Sequence, residues 1–233
     1  MKLFLNHIRN NRMTKFTFAD REEGFDAHID MSIRGYSDLC ADVLKYSQYF
    51  VEDDTNVVDI GCSTGKMLTR MSEEHKSFCK PKYIGVEIES SFFTQQEKSN
   101  DIEYVHGDIR AYDFDNCSLV TSIFTLQFMP QKDRLRLVEN IYDGLNVGGG
   151  FIFAEKMISE YSKINDMRTF TFYDFKKNNF TYDDIMNKEK TLRHMMKLNT
   201  RNELLEMCES VGFTQIDTFW QNHAFAGFIA IKN

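Results

Sequence analysis

The sequence predicts an α/β protein whose core is a seven-stranded, mostly parallel sheet with helices on both faces. Five short runs rich in β-branched and aromatic residues alternate with segments of helical apolar periodicity, as in repeated strand–helix–strand units. A glycine-rich turn directly follows the first of these runs. The last two runs are too close together for a crossover helix, so they must pair as an antiparallel hairpin.

The five parallel strands are predicted at residues 55–59, 82–87, 102–105, 119–124 and 151–154. Helical patterns occupy residues 39–50 and 65–75, and a further helix follows Pro130, which suits the first turn of a helix. The predicted buried stripe of that helix consists of Leu135, Val138, Ile141 and Tyr142. The glycine-rich stretch 146–150 then predicts a break before the fifth strand.

The C-terminal third departs from this alternation. Residues 157–201 are polar and rich in aromatic side chains, and we expect a helical insertion that lies over the sheet edge and the active site. Residues 202–211 predict another amphipathic helix, and residues 213–220 and 225–231 predict the closing hairpin. The whole chain, residues 1–233, is therefore expected to form a single domain.

Composition favours an intracellular globular protein that does not bind nucleic acid over its whole surface. The 233 residues are 42% hydrophobic with a formal net charge of −7, and no apolar stretch is long enough to span a bilayer. The five cysteines are scattered, odd in number and without metal-ligand spacing, which predicts reduced thiols, a cytoplasmic location and no metal site. Residues 1–12 are basic but lack the apolar core of a signal peptide, and Met13 could be an alternative start.

Positive charge is concentrated in residues 162–201. This segment holds nine Lys and Arg against five Asp and Glu, a net charge of +4 that leaves −11 for the rest of the chain. One interpretation is a solvated helical face, which is common in globular proteins. The other is a basic rim that faces an anionic acceptor.

A glycine turn follows the first strand. The segment Asp59-Ile-Gly61-Cys-Ser-Thr-Gly65-Lys lets the backbone approach a ligand closely and presents the N–H groups of the next helix. Three residues separate the glycines and Met67 stands where a phosphate-binding loop has Ser or Thr, so this is not a P-loop. Ser63 likewise replaces the middle glycine of a dinucleotide-binding turn.

Acidic side chains end the first three strands. Glu87 can accept both hydroxyl groups of a ribose. Asp108 can accept a hydrogen bond from an adenine amino group while Ile109 packs on the ring. Asp59 would support the glycine turn and reach a ligand ammonium group through water. Because the carboxyl ends of parallel strands meet at one crevice, this series predicts the small-molecule cofactor S-adenosylmethionine.

The methionine half of this cofactor is expected at the glycine turn. Gly61, Cys62 and Ser63 would supply backbone contacts to it. The ring faces of Tyr36 and Phe124 would attract the sulfonium by cation–π interaction, a contribution of roughly 0.5–2 kcal/mol.

Eight short motifs also occur in a characteristic order. They are Gly35-Tyr36-Ser37, DIGCSTG (59–65), HGDIR (106–110), FTLQF (124–128), IYDGLNVGGG (141–150), Glu155-Lys156, Asp174-Phe-Lys176 and Phe219-Trp-Gln221. Together they resemble the carboxy-S-adenosylmethionine synthase family of the class I S-adenosylmethionine-dependent methyltransferase superfamily. The resemblance runs from about Phe16 to Lys232.

This resemblance implies a Rossmann-like class I methyltransferase fold and S-adenosylmethionine or carboxy-S-adenosylmethionine as the bound cofactor. The family makes carboxy-S-adenosylmethionine from S-adenosylmethionine and prephenate, for wobble-uridine tRNA modification. The resemblance also implies a homodimer. The cofactor contacts that it implies are Tyr36, Gly61, Cys62, Ser63, Glu87, Ile88, Asp108 and Ile109.

Two positions depart from the family pattern. Ile123 stands where the family has an asparagine, just before the phenylalanine of FTLQF. Glu189 stands where, counting without gaps, the family has an arginine that clasps the added carboxylate. A glutamate there reverses the sign of the interaction. Lys188, Lys190 or Arg193 could replace that arginine if the segment is shifted.

Three functions stay open at this point. The first is methyl transfer to an unidentified acceptor, in which the protein mainly positions the reactants and excludes water. The second is carboxy-S-adenosylmethionine synthesis, and the third is non-catalytic binding of S-adenosylmethionine. Candidate catalytic groups are Tyr173, Asp174, His194 and His223, although His194 also suits a solvated helix face and His223 a turn.

Overall fold

The computed structural model describes residues 25–94 and 101–233, so the predictions for residues 1–12 and Met13 lie outside the described part of the chain. Within these ranges, seven strands form one sheet in the order β3-β2-β1-β4-β5-β7-β6. The strands are β1 (Asn56–Ile60), β2 (Lys82–Glu87), β3 (Ile102–His106), β4 (Cys117–Ile123), β5 (Leu145–Lys156), β6 (Gln215–Asn222) and β7 (Phe225–Ile231).

The helices follow the strands in the expected alternation. They are α1 (Phe25–Ser32), α2 (Tyr36–Ser47), α3 (Lys66–His75), α4 (Gln131–Gly144), α5 (Ser162–Lys176), α6 (Tyr182–Met195) and α7 (Arg201–Val211). Capping boxes at Thr181 and Thr200 start α6 and α7. Across the described ranges, none of these helices combines the length and apolar character that crossing a membrane requires.

The direction of the strands creates a crevice at one edge of the sheet. β1 pairs with β2 and β4, β2 with β3, and β4 with β5, all in parallel. β7 is antiparallel to both β5 and β6, as predicted for the hairpin. The chain order reverses between β1 and β4, and ligands of such sheets bind outside the carboxyl ends of the strands at this point. The predicted α/β architecture is confirmed.

The core divides into two layers because successive side chains of a strand point to opposite faces. Val58 and Val120 pack in the cluster that includes α4 and α7 residues. Val57 and Leu119 pack in the other cluster, with residues of α2 and α3. The β-branched runs that predicted β1 and β4 are therefore buried on both faces, as a parallel sheet requires.

The prediction of a break at residues 146–150 is wrong, because β5 begins at Leu145 and runs through this stretch. Gly148 has a φ of 85° and donates its N–H to the Lys232 carbonyl at 2.7 Å, so the strand bends while it stays paired to the chain end. Gly150 lies against the Phe50 ring, where a Cβ would come within 2.7 Å of ring atoms. These glycines permit close packing within a strand and do not end it.

Three helices also differ from the prediction at their starts. α1 was not predicted, and α2 begins at Tyr36, earlier than the apolar pattern at residues 39–50 indicated. Gly35 caps α2 in the left-handed region with a φ of 75°, which glycine adopts without strain. Pro130 lies just before α4 as its cap, one position ahead of the first turn.

Candidate functional site

A cavity of about 1140 Å³ opens at the carboxyl ends of the parallel strands. α5 and α6 contribute to its wall, as expected for the insertion, through Phe172, Lys176, Lys188, Glu189 and Leu192. Every predicted cofactor contact lines this cavity: Tyr36, Asp59, Gly61, Cys62, Ser63, Glu87, Ile88, Asp108, Ile109 and Phe124. The structure thus brings together residues that are spread from Tyr36 to Phe124 along the chain.

The glycine turn is held in a shape that depends on its glycines. Gly61 has a φ of 70° and Gly65 a φ of 77°, so both occupy the left-handed region. The Gly61 N–H donates to the Val86 carbonyl at 2.8 Å, and the Gly65 N–H donates to the Cys62 carbonyl at 2.8 Å. Thr125 packs against Gly61, and a Cβ at that position would overlap it. The turn therefore presents backbone to the cavity where a side chain has no room.

Glu87 is oriented before any ligand arrives. Its side chain is buried at the end of β2. Oε2 accepts the Ser63 N–H at 3.0 Å and Oε1 accepts the Glu89 N–H at 2.8 Å. Each carboxylate oxygen has a further lone pair, so this fixed group can still accept two ribose hydroxyls.

Asp59 lies behind the glycine turn and is also buried. Thr121 donates its hydroxyl to Asp59 Oδ1 at 2.6 Å. Burial raises the pKa of Asp59 to about 7, the Thr121 hydrogen bond lowers it, and the negative charge of Glu87 raises it. Burial and the negative charges of Asp59 and Glu87 raise the pKa of the Cys62 thiol, which is therefore a neutral packing group.

The affinity for S-adenosylmethionine is expected to rise with pH as Asp59 ionises. An ammonium group of the cofactor beside Asp59 would favour the ionised carboxylate, so binding would release the proton that Asp59 retains below a pH of about 7. We expect affinity at pH 6 to be up to about tenfold weaker than at pH 8, measured by calorimetry. Asp59→Asn removes the titrating group, so the affinity of this variant should change little between pH 6 and pH 8. An unchanged pH dependence in the variant would contradict the role of Asp59.

Asp108 reaches the cavity but already pairs with Arg110. Its Oδ1 accepts the Arg110 N–H at 3.0 Å and the Arg110 Nε at 3.0 Å. Arg110 Nη1 also donates to Asp133 Oδ2 at 2.9 Å. The hydrogen bonds that Asp108 accepts from Arg110 lower the pKa of Asp108 and keep it ionised. An adenine amino group would therefore share an acceptor that Arg110 orients.

The wall beyond the glycine turn is aromatic. The rings of Tyr36 and Phe124 lie with centroids 6.2 Å apart, and Phe225 meets Phe124 edge-on at 5.4 Å. Phe124 has a φ of 58°, an unfavourable conformation for a bulky residue, and its N–H donates to the Ala154 carbonyl at 2.7 Å. Such strain clusters at ligand sites because surrounding contacts enforce it.

The segment after β4 is anchored to the end of β5. Glu155 Oε1 accepts the Leu126 N–H at 3.0 Å, and Gln127 Oε1 accepts the Lys156 N–H at 2.9 Å. Arg134 donates to the Met129 carbonyl at 2.7 Å. The two motifs FTLQF and Glu155-Lys156 therefore act together to fix the backbone from which Lys156 enters the cavity.

Two lysines and one glutamate line the part of the cavity nearest α5 and α6. Lys156 ends β5, Lys176 ends α5 and Glu189 lies on α6. Glu189 Oε2 is 3.6 Å from Lys156 Nζ, and Glu189 Oε1 is 4.0 Å from Lys176 Nζ. The three side chains are 13%, 3% and 12% exposed, respectively. We call these three residues the lysine cluster; its formal net charge is positive.

The Phe172 ring lies against both ammonium groups of the lysine cluster. Lys156 Nζ and Lys176 Nζ each lie 4.9 Å from the centroid of its ring. Burial lowers the pKa of both lysines, whereas the negative charge of Glu189 raises it. Sequence reasoning named Glu155-Lys156 and Asp174-Phe-Lys176 as motifs but gave neither lysine a role.

Comparisons with known proteins identify the family to which this chain belongs. The sequence profile of a family described as a methyltransferase domain matches residues 57–149. A carboxy-S-adenosyl-L-methionine synthase of Staphylococcus epidermidis is 36% identical over 226 residues, 94% of this chain and 97% of that protein. One of Shewanella putrefaciens is 32% identical over 232 residues, 96% of this chain and 95% of that protein. The chain belongs to the carboxy-S-adenosyl-L-methionine synthase family.

Solved structures show the same fold at low sequence identity. Haemonchus contortus phosphoethanolamine N-methyltransferase 2 in complex with S-adenosyl-L-methionine has a TM-score of 0.63 and 14% identity, over 92% of this chain and 59% of that one. Human N-acetylserotonin methyltransferase in complex with S-adenosylmethionine has a TM-score of 0.58 and 15% identity, over 83% and 51%. The predicted class I methyltransferase, Rossmann-like fold is confirmed. Membership of the carboxy-S-adenosyl-L-methionine synthase family makes the chain an S-adenosylmethionine-dependent transferase.

Both departures from the family pattern line the cavity. Ile123 ends β4, and Glu189 joins the lysine cluster. Of the basic residues considered as replacements for the family arginine, Lys188 lines the cavity, whereas Lys190 and Arg193 are exposed. Positive charge is therefore supplied beside Glu189 by Lys156 and Lys176, from other elements of the fold.

The candidate catalytic groups are not brought to this cavity wall. Tyr173 lies on α5 against Phe172, with ring centroids 6.0 Å apart, and is not among the lining residues. Asp174 is exposed and pairs with Lys177 at 2.8 Å. His194 is exposed on α6, and His223 has a φ of 49° in the turn between β6 and β7. The alternatives of a solvated helix residue and a turn residue fit these two positions.

Proposed function

We propose that this chain binds S-adenosylmethionine in the cavity and converts it to carboxy-S-adenosylmethionine with a carboxylate co-substrate. The observation that carries this proposal is the lysine cluster, which sets two ammonium groups against one carboxylate in a buried wall. A buried excess of positive charge needs an anionic partner. A neutral methyl acceptor would leave that charge uncompensated.

The cofactor half of the site supports the first part of the proposal. Glu87 binds the ribose hydroxyls, and Asp108 with Ile109 binds the adenine. The glycine turn binds the methionine portion through its backbone. Tyr36 and Phe124 would face the sulfonium, and Phe225, which contacts Phe124 and lies 5.8 Å from Lys156 Nζ, connects this wall to the lysine cluster.

The chemistry exchanges one bond at the methyl carbon. The sulfonium methyl would lose a proton, and the carboxyl group would leave the donor as carbon dioxide, to which the methyl carbon forms the new C–C bond. With prephenate as the donor, the electron pair of the broken C–C bond makes the ring aromatic and expels the ring hydroxyl as hydroxide. This hydroxide takes up the methyl proton as water, and phenylpyruvate is the other product.

Lys156 and Lys176 hold the carboxylate beside the methyl group. Phe172 and Phe225 limit the access of water, which strengthens the charge interactions inside the site. The tRNA wobble-uridine role and the homodimer that the family resemblance implies stay predictions.

The reaction is tested by incubating the chain with S-adenosylmethionine and prephenate and analysing the products by mass spectrometry. We expect a cofactor that has gained the mass of one carbon dioxide. Lys176→Met should lower the rate of its formation by at least about tenfold, because a charge-assisted contact is lost. Lys163→Met is the matched control, since Lys163 is exposed on the same helix.

The absence of product would distinguish the proposed reaction from a second candidate function. No carboxylated product from protein that binds S-adenosylmethionine would contradict the proposal. Methyl transfer to an unidentified acceptor is the second candidate. The Glu189 carboxylate in the cavity favours this candidate because it would repel the carboxylate of a co-substrate. Release of S-adenosylhomocysteine with an added acceptor would support that candidate.

A further inference from the structure

Gln127, in the segment between β4 and α4, is held by three hydrogen bonds. Its carbonyl accepts the Lys197 N–H at 2.9 Å and an N–H of Arg134 Nη2 at 3.3 Å. Its side-chain Oε1 accepts the Lys156 N–H at 2.9 Å. The residue lines the cavity and is 6% exposed. Its backbone and its side chain are therefore fixed in position before a ligand binds.

The hydrogen bond to Lys156 also fixes which way the Gln127 amide faces. A backbone N–H is a donor, so the amide atom opposite it must be the oxygen, and the NH₂ group points elsewhere. Across residues 25–94 and 101–233, Gln127 Nε2 donates to no acceptor, and it is not one of the unpaired polar atoms that are fully buried. Because Gln127 lines the cavity, a ligand there can reach this NH₂ group.

The NH₂ group of Gln127 needs an acceptor. Amide donors that find no acceptor in the described part of the chain are costly in so buried a wall, so a bound acceptor would stabilise them. Nε2 shares a carbon with Oε1 and so lies close to the backbone of Lys156, whose ammonium group belongs to the lysine cluster. A carboxylate or keto oxygen suits such a donor, and prephenate carries both groups.

We propose that Gln127 is a specificity-determining residue of the co-substrate site, whose NH₂ group donates to a carboxylate or keto oxygen of the co-substrate. The identity of this ligand rests on the function proposed above. The ammonium groups of Lys156 and Lys176 act as point charges, whereas a planar amide donates along fixed directions. Gln127 therefore orients a co-substrate that the two lysines attract.

Calorimetry with phenylpyruvate, the product that keeps a keto and a carboxylate group, tests this contact without turnover. The full chain saturated with S-adenosylhomocysteine is titrated with phenylpyruvate. Gln127→Glu keeps the acceptor for the Lys156 N–H and removes the donor, whereas Gln127→Met removes both and adds no charge. We expect binding about tenfold weaker in Gln127→Met, because a hydrogen bond is lost, and weaker still in Gln127→Glu, because repulsion is added.

The affinity for S-adenosylmethionine and the thermal unfolding midpoint should change little in Gln127→Glu. Gln221→Glu is the matched control, since Gln221 is exposed on β6 and does not line the cavity, and it should bind phenylpyruvate like the original chain. No binding of phenylpyruvate to the original chain, or unchanged binding in either folded variant, would overturn the proposal. Weaker binding of S-adenosylmethionine with unchanged binding of phenylpyruvate would place the donor on the cofactor and would also overturn it.

The two proposals fail in different ways. Weaker phenylpyruvate binding in both variants, with no carboxy-S-adenosylmethionine formed by the original chain, refutes only the proposed reaction. Product formation by the original chain, with phenylpyruvate binding unchanged in the variants, refutes only the role of Gln127.

Discussion

Glu87→Gln is expected to weaken S-adenosylmethionine binding by about a hundredfold, the equivalent of roughly 3 kcal/mol. The carboxylate accepts N–H groups from Ser63 on one oxygen and from Glu89 on the other. An amide has one acceptor oxygen, so its NH₂ would face one of these N–H donors. The amide must rotate away or the turn must shift, and the two ribose hydroxyls lose their acceptors.

Calorimetric titration of the two proteins measures this loss. Glu103→Gln is the matched control, because Glu103 is exposed on the neighbouring strand and pairs with Lys82 at 2.6 Å on the surface. The thermal unfolding midpoint of Glu87→Gln shows whether the fold is retained. A folded variant with unchanged affinity would exclude Glu87 from the cofactor site.

Gly61→Ala is expected to cost about 2–4 kcal/mol of folding stability and to abolish cofactor binding. Its φ of 70° lies in the left-handed region, which alone disfavours alanine. The added methyl would also overlap the Thr125 side chain, which is fixed by its hydrogen bond to the Ile60 carbonyl at 3.0 Å. Relief of this overlap moves the turn away from the position in which it meets the methionine portion.

Chemical denaturation checks the stability of this variant. Gly107→Ala serves as the control, because Gly107 also lines the cavity but has open space where a Cβ would be. We expect Gly107→Ala to remain within about 0.5 kcal/mol of the original chain. Normal binding by Gly61→Ala would show that the turn tolerates a side chain and does not contact the cofactor.

Local sequence pattern was sufficient to predict most of the sheet. Residues 82–87 and 225–231 were predicted with the bounds that the structure has, because each is an apolar run next to clear turn signals. β5 was predicted too short because its glycines look like a loop in sequence. Their role became visible only through long-range partners, the Lys232 backbone and the Phe50 ring. Sequence periodicity does not report such contacts.

The candidate site also has one part that local sequence pattern predicts, the strand-end acids, and one part that depends on long-range packing, the lysine cluster. The position of Glu87 and Asp108 at one cavity could be predicted because a parallel sheet brings its strand ends together whatever the side chains are. The lysine cluster could not, because it depends on how α5 and α6 pack over the cavity. The gapless alignment placed Glu189 opposite a carboxylate, whereas the structure supplies the positive charge from β5 and α5. Tyr173 and His194 were predicted as catalytic groups from residue type alone, and residue type does not show which way a side chain points.

Crystallographic determination of the chain with bound S-adenosylmethionine tests the central claim most directly. The account predicts both ribose hydroxyls within hydrogen-bonding distance of Glu87, the adenine against Ile109, and the methyl group on the side of the cavity that holds Lys156 and Lys176. Electron density for the adenosine outside this cavity, or a ribose that makes no contact with Glu87, would contradict it.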